Sequence, residues 1–596
     1  MPDSPQTTAN SLLKLTIKAN GQSLSGDLQP MSVVVDKEIN RIPYAKLTLL
    51  DGNMPEKDFP ASNKDEFKPG ASVEISAGYD SEETVIFKGT VFRHGIMVTD
   101  DNFGRLIVEC RDDAVKMTIG RKNANYVDQK DSDIFSTLIG NYNGLSSDVE
   151  ATTVTHRELV QYYCTDWDFM LSRAEANGLV VIADDGKLTV KAPDVSTAAE
   201  LVVTYGLDLI EFQADMDART QLASVSGTSW DMKTQAVVTE KVSPRTLNDQ
   251  GNLTTAQLAE VGGVDTFQLQ TATPLDKSAL KKWAESCQLK SQLARIRGIM
   301  KFQGNPKAKP GKLIDVAGVG DRFSGSVYVS GVQHRIADGN WSTSVRFGLS
   351  PNWFAERRDL VAPPAAGLLP GVDGLQVGIV TKLAEDPASE YRIQVKLPVL
   401  QAETEGVWAR LAGNFASEGF GAVFLPDVGD EVVLGYFNSD PSHPVILGSL
   451  YSSKRKPPVE FAAENKSKQI LTKSKLLVEF DEEKKSISLQ TPGKNTVVIS
   501  DDAKSIEMKD QNGNSVTLNG DGITLDCAKD VKISSKGKIT LDATGELSLS
   551  SKADVKVKGM NVNAEASVGF VAKGSASAEV SASGQMTVKG AMVMIN

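Results

Sequence analysis

Ile523-Thr524-Leu525-Asp526-Cys527-Ala528-Lys529-Asp530-Val531-Lys532-Ile533-Ser534-Ser535-Lys536-Gly537-Lys538-Ile539-Thr540-Leu541 decides how the chain is read. Apolar pairs two residues apart recur through this stretch and beyond it. They are Ile523/Leu525, Val531/Ile533, Ile539/Leu541, Leu547/Leu549 and Val555/Val557, with a period of eight residues. An i, i+2 pair puts both side chains on one face of a strand. The spacers, such as Ala543-Thr544-Gly545, are small and polar and turn the chain between strands. Short fixed periods of this kind mark a β-solenoid, in which no single unit buries its apolar face alone. The paired residues are the candidate core of a rigid shaft, expected over residues 470–596. Cys527 keeps the alternation of Ile523 and Leu525 and reads as core with them.

The bulk composition narrows the function. A chain of 596 residues is expected to hold roughly three to five domains. It carries 64 basic against 76 acidic residues, a net charge of −12, which argues against a general nucleic-acid binder. Cys110, Cys164, Cys287 and Cys527 form no CxxC pair, so a zinc ribbon is unsupported and reduced, mostly buried thiols are expected. Met1-Pro2-Asp3-Ser4-Pro5-Gln6 lacks a basic and an apolar signal region, and no run of 18 apolar residues occurs. Synthesis in the cytoplasm, with export by a machine, is the expectation.

Upstream of the shaft the chain alternates between β and helical patterns. Leu13-Lys14-Leu15-Thr16-Ile17-Lys18, Ala45-Lys46-Leu47-Thr48-Leu49 and Leu106-Ile107-Val108-Glu109-Cys110 read as half-buried strands separated by turn clusters. Ser132 is expected to cap a helix carrying Ile134, Phe135, Leu138 and Ile139. Thr165 and Asp168 form a capping-box pattern before Trp167, Met170, Leu171 and Ala174, with Asn177-Gly178 as the stop. A third helix is expected over 277–297, with Leu280, Trp283, Ala284, Cys287 and Leu293 inward. Strands then resume. Residues 1–355 are read as two β-barrels with a helical insertion, 356–373 as a linker and 453–469 as a connector. Residues 374–452 are read as a small closed barrel of the OB type, with strands at 376–382, 391–397, 406–411, 421–425 and 431–437.

That barrel carries Val407-Trp408-Ala409-Arg410, Phe424-Leu425-Pro426-Asp427-Val428-Gly429-Asp430-Glu431-Val432 and Asp440-Pro441-Ser442-His443-Pro444-Val445-Ile446-Leu447-Gly448-Ser449-Leu450-Tyr451. These runs resemble the VgrG family, the spike proteins of type VI secretion and related contractile injection systems. Tyr163-Cys164-Thr165-Asp166-Trp167-Asp168-Phe169-Met170 and Gly320-Asp321-Arg322-Phe323-Ser324-Gly325 resemble parts of that family's hub. The resemblance implies a mainly β homotrimer. Its barrels would form a hub, and its C-terminal strands an intertwined β-helix. It implies an Hcp-like inner-tube protein, baseplate proteins, a PAAR-type tip protein and effector cargo as partners, and a target membrane met transiently. The particle would leave the cell by contraction or lysis, from a cell-bound apparatus or as a released tail-like particle. The eight-residue period alone leaves a single-chain solenoid open.

In an intertwined shaft each octad would advance about 4.8 Å, the strand spacing, so residues 470–596 would make a rod of ~75 Å. Residues 559–596 hold only Glu565, Lys573, Glu579 and Lys589 as charges, amid small side chains. This suggests a narrow, weakly charged tip. Met592, Val593, Met594, Ile595 and Asn596 would then be the platform on which the tip protein docks.

No chemistry is marked. His94, His156, His334 and His443 are scattered, and the nucleophile-elbow, phosphate-loop and HExxH patterns do not occur. Pairs such as Asp112-Asp113 and Asp184-Asp185 are adjacent, so in a strand they point to opposite faces. No cofactor, metal or catalytic residue is expected. The alternative is a β-helical tail protein that binds or cleaves polysaccharide. It would need aromatics and carboxylates along the solenoid, yet after Phe480 the only aromatic is Phe570.

Overall fold

A computed structural model describes residues 3–6, 12–80, 82–101, 103–245, 247–400 and 405–595. The chain divides into two units, Met1–Ser449 and Leu450–Asn596.

In the first unit, 13 strands share one hydrogen-bonded sheet. Half of it follows from strict alternation. Tyr44–Asp51 turns Ala45, Leu47 and Leu49 inward, and Gly104–Arg111 opposes them with Leu106, Val108 and Cys110. These side chains, with Val33, Val35, Ile75 and Phe87, fill a first core. A second core gathers Leu201, Val203, Met300, Phe302, Ile314, Val316, Val327, Val329 and Phe347.

The two barrel-like cores are joined by a shared hairpin, Gly325–Ala337 and Asn340–Phe347. One end of Gly325–Ala337 pairs with Leu313–Ala317 beside the second core. The other end pairs with Pro30–Glu38 beside the first. The register shifts between Val329 and Gly331, and such a bulge bends a strand and raises its twist. Gly331 sits at the bend, where a Cβ would come within 2.6 Å of the Arg346 guanidinium. That guanidinium donates to Asp36 and forms an ion pair with Glu38. Trp341, on the returning strand, stacks on Tyr79 with ring centroids 5.5 Å apart.

The helical insertion folds on its own core. α1 (Asp131–Gly140) buries Ile134, Phe135, Leu138 and Ile139. It begins one residue before Ser132, which is therefore not its cap. The N-cap is Lys130, which makes no side-chain capping bond, and Ser132 N–H donates to Thr152. α2 (Asp166–Ala176) is capped by Thr165, whose hydroxyl accepts from Asp168 N–H at 3.0 Å. The Asp168 carboxylate accepts from the Thr165 hydroxyl, so the return bond is between side chains. Trp167, Met170, Leu171 and Ala174 are buried. α3 (Thr255–Gly262) has a complete capping box, Thr254 with Gln257, and ends at Gly263 in the left-handed region. α4 (Lys277–Leu293) stops short of residue 297, because Ile296–Gln303 is already a strand.

Two charge clusters tie the insertion down. Asp131 is buried and accepts from His156, from both Arg173 nitrogens and from Asn177, all within 2.9 Å. Burial opposes its charge, but those donors outweigh burial and hold its carboxyl well below the usual range. Buried Lys37, on Pro30–Glu38, donates to Asp184 and Asp185 of the Val180–Asp184 hairpin. Burial opposes its charge too, and the two aspartates more than compensate, so its pKa is raised.

Beside Lys37, His334 is 5% exposed and lies 2.9 Å from the Thr343 hydroxyl. Burial first, then the charges of Lys37 and Lys309, push it from 6.5 down to about 3. The unfolded chain therefore binds a proton that the folded chain refuses. Stability is lost as pH falls from 6.5 toward that value. Asp131 adds to the loss below the ordinary aspartate value of 3.8. The urea midpoint of the first unit is expected to fall between about pH 7 and about pH 4. His334→Gln is expected to flatten that fall, and an unchanged slope would assign it to another group.

Residues 376–449 close into a five-stranded barrel in the order Gln376–Lys382, Ile393–Lys396, Val407–Leu411, Pro444–Ser449, Glu431–Tyr436. Val380, Ile393, Val395, Ala409, Val432, Leu434 and Ile446 fill it. The stretch 421–425 is not one of its strands. Only Gly421 bridges, to Ala416, and Val423, Phe424 and Leu425 are exposed. Pro444–Ser449 closes the barrel instead, pairing in parallel with Val407–Leu411.

Candidate functional site

The second unit covers the segment expected to form a shaft, and it contains two kinds of structure. Between residues 467 and 526 seven five-residue strands run as an antiparallel meander: Ser467–Leu471, Leu477–Asp481, Ser486–Gln490, Thr496–Ser500, Ser505–Lys509, Ser515–Asn519 and Gly522–Asp526. The expected solenoid therefore does not begin at residue 470. The meander forms because its spacers reverse the chain. Asp481 accepts from the backbone of Glu483 and Lys484, and Asp510 from that of Asn512 and Asn514. Lys475, Lys485, Lys494, Lys504 and Gly513 adopt positive φ in successive turns. Asn495 accepts from Gln511 N–H, and Asn514 from Ala528 N–H, linking one turn to a later segment.

The register sorts the side chains by face. Val478 opposes Leu489, Leu489 opposes Val497, Val497 opposes Met508, Met508 opposes Val516, and Val516 opposes Leu525. The parallel row runs Phe480, Ile487, Ile499, Ile506, Leu518, Ile523. One face is thus a ladder of apolar cross-strand pairs, the unit of sheet stabilisation. The middle row of the other face runs Glu479, Ser488, Val498, Glu507, Thr517, Thr524, polar at every place but Val498. The apolar face is uncovered: Leu489 is 47% exposed and Ile499 46%.

Beyond Asp526 the structure changes. Every described residue from Ala528 to Ile595 is exposed, and no strand is formed. Among the described residues, none in this stretch makes a backbone–backbone hydrogen bond. Ile523, Leu525, Val531, Ile533, Ile539, Leu541, Leu547, Leu549, Val555 and Val557 are all 53% exposed or more. Cys527 is half-buried, its thiol donating to Asp530 C=O at 3.4 Å. Ile523 and Leu525 still pair with the preceding strand, but from Val531 on, among the described residues, these apolar residues have neither cover nor a backbone ladder. At the end, Met592, Val593, Met594 and Ile595 are exposed; Asn596 lies outside the described residues.

Among the described residues the structure assembles no catalytic constellation. Among the described residues no three His, Cys, Asp or Glu side chains are placed to hold a metal. Burial pushes the Cys110 thiol up to about 12 and Cys287 up to about 11, so neither is primed as a nucleophile. His156, with Asp131 and Arg173, serves the insertion core. His443 faces Asp440 in a turn. No described helix is long and apolar enough to cross a membrane.

Comparison with known proteins matches three successive stretches of the chain. A family model of the Alg8 N-terminal domain matches residues 9–338. The type VI secretion system/phage-baseplate injector OB domain matches 376–451, and the phage baseplate V C-terminal trimerisation domain matches 486–596. The chain is 32% identical over 115 residues to the type VI secretion system spike protein VgrG5 of Pseudomonas aeruginosa, a match covering 18% of this chain and 14% of that one. It is 32% identical over 69 residues to the actin cross-linking toxin VgrG1 of Vibrio cholerae, covering 12% and 6%. The matched stretches are thus a small part of either relative. Among solved structures, the chain is similar to the 43 kDa tail protein of prophage MuSo2 from Shewanella oneidensis, with TM-score 0.44, 11% identity and coverage of 57% and 98%. It is also similar to the E. coli c3393 protein, a component of the type VI secretion system, with TM-score 0.35, 12% identity and coverage of 73% and 100%.

Proposed function

This chain belongs to the family of VgrG-type spike proteins, and on that premise we propose that three copies form the central hub and spike of a contractile injection machine. One observation carries the reading. The segment matched by a trimerisation domain is the segment whose apolar residues have no cover in a lone chain. Uncovered apolar surface on this scale marks an interface between proteins. The N-terminal sheet and the OB barrel then act as the hub that meets the inner tube and baseplate, and the second unit is the shaft. Native mass spectrometry of the purified chain tests this directly. A trimer supports the reading, and a stable monomer at micromolar concentration overturns it.

The role is mechanical, with puncture of the target envelope and delivery of effectors as its output. The matches to a baseplate injector OB domain and to spike proteins favour this over polysaccharide cleavage. Release of soluble sugars from target-cell polysaccharide by the pure trimer would reverse that preference. The terminal residues Met592, Val593, Met594, Ile595 and Asn596 serve as the platform for a PAAR-type tip protein. Deleting these five is expected to abolish co-purification of that protein while leaving the trimer intact. Undiminished co-purification would place the platform elsewhere.

A further inference from the structure

We propose that the outer face of a three-stranded sheet in the first unit binds a neutral polysaccharide chain, without cutting it. The sheet joins Ala236–Val242, Val225–Asp231 and Phe267–Thr271 in that order. The inference concerns one chain and stands apart from the threefold reading above.

Side-chain period divides the two faces of this sheet. Val225 and Leu269 share a core with Ala284 and Cys287 of α4. Gly227, level with Leu269, lies so close to that helix that a Cβ would come 2.8 Å from Leu280. The alternate residues therefore point away from α4. On that side Trp230 opposes Val237, and Thr228 stands between Thr239 and Gln270. Ser226 stands between Lys241 and Gln268 in the row beyond. Trp230 is 41% exposed and Val237 63%. Asp231 accepts from Lys233 N–H at 3.0 Å and from the Thr234 hydroxyl at 2.7 Å, so the turn beside the indole is held in place. A site fixed before its ligand arrives loses less entropy on binding.

The polar groups of this face are largely unspent. Thr239, Gln268 and Gln270 are exposed, and their side chains make no hydrogen bond among the described residues. The Thr228 hydroxyl donates to Leu269 C=O at 3.1 Å, which leaves it able to accept. Lys241 donates to the Thr266 hydroxyl at 2.9 Å.

That inventory selects the ligand class. Two apolar side chains are too few for the dry centre of a protein interface. One cation is too few for a phosphate backbone. An uncharged chain of hydroxyl groups with flat C–H faces matches each part. A sugar ring lays its C–H face on the indole, which is flat and apolar. Its hydroxyls both donate and accept, as do the glutamine amides and the threonine hydroxyls. Strands stand ~4.8 Å apart, so the row Thr239–Thr228–Gln270 spans ~10 Å, enough to follow a chain beyond the ring on Trp230. No carboxylate stands in these rows, and hydrolysis of a glycosidic bond needs two. The chain is held and left whole.

Co-sedimentation of the full chain with insoluble curdlan, cellulose, chitin and peptidoglycan tests this. Binding to at least one is expected, and it should persist in about 0.5 M salt, where exposed charges are screened. Trp230→Ala should weaken it at least ~10-fold. The Gln268→Ala/Gln270→Ala variant should also weaken it, with an unchanged melting temperature because both side chains are exposed. Should Trp230→Ala lower the melting temperature, the glutamine variant decides. Sedimentation with none of the four, binding abolished by salt, or binding undiminished in the deciding variant overturns the proposal.

Discussion

Leu489→Asp/Met508→Asp is expected to leave this protein monomeric. Both side chains stand in one row of the apolar ladder, each opposite Val497. In a trimer whose sheets pack face to face, the double variant would bury six carboxylates, two from each of three chains. Each uncompensated buried charge costs several kcal/mol, whereas fully burying a leucine or methionine is worth ~1.5–3 kcal/mol. Both terms oppose assembly, and their sum exceeds what the remaining row can return. The sheet itself keeps its backbone ladders, so far-ultraviolet circular dichroism should change little. Sedimentation should shift from three copies to one. A variant that still sediments as a trimer would show that this face does not meet the threefold axis.

Trp341→Ala carries the second large effect, in the hub. The indole is 4% exposed, stacks on Tyr79 and lies 5.7 Å from His334. A Cβ on Gly304 would fall 2.0 Å from its ring, so the ring packs directly on that backbone and Gly304 has no side chain to refill the space. Truncation of a buried tryptophan costs about 4 kcal/mol when the cavity cannot collapse. That is a large share of a typical ~5–15 kcal/mol. Because Trp341 belongs to the hairpin shared by both cores, thermal unfolding should show both losing stability together. A shift worth less than about 1 kcal/mol would mean the pocket relaxes around the loss.

Much of this was legible in the residues. The alternation in Tyr44–Asp51 and the inner face of α2 follow from side-chain period. The octads name their own apolar pairs. Three features were less visible, each for a physical reason. The meander and the octads share the same i, i+2 signal, and they differ in how the spacer turns. In the meander, lysines take the left-handed turn positions usually given to glycine or asparagine, so composition does not announce reversal. The stretch 421–425 is a short apolar run like a buried strand, but Gly413, Gly419 and Gly421 punctuate a loop around it, and the barrel is closed by Pro444–Ser449 across a long sequence distance. α3 carries a capping box at Thr254-Thr255-Ala256-Gln257, but the helix behind it is too short for an apolar period to stand out.

The bare tail has one more consequence, and it concerns the cell that makes the protein. Segments that lack packing and backbone bonds are where proteases cut. A copy without partners presents residues 527–595 in that state, and the proposed trimer would hide them. Limited proteolysis is then expected to clip the dissociated chain within 527–595 and to leave the trimer whole. On that expectation, how much of the protein survives would depend on how quickly three chains find one another as well as on how many are synthesised.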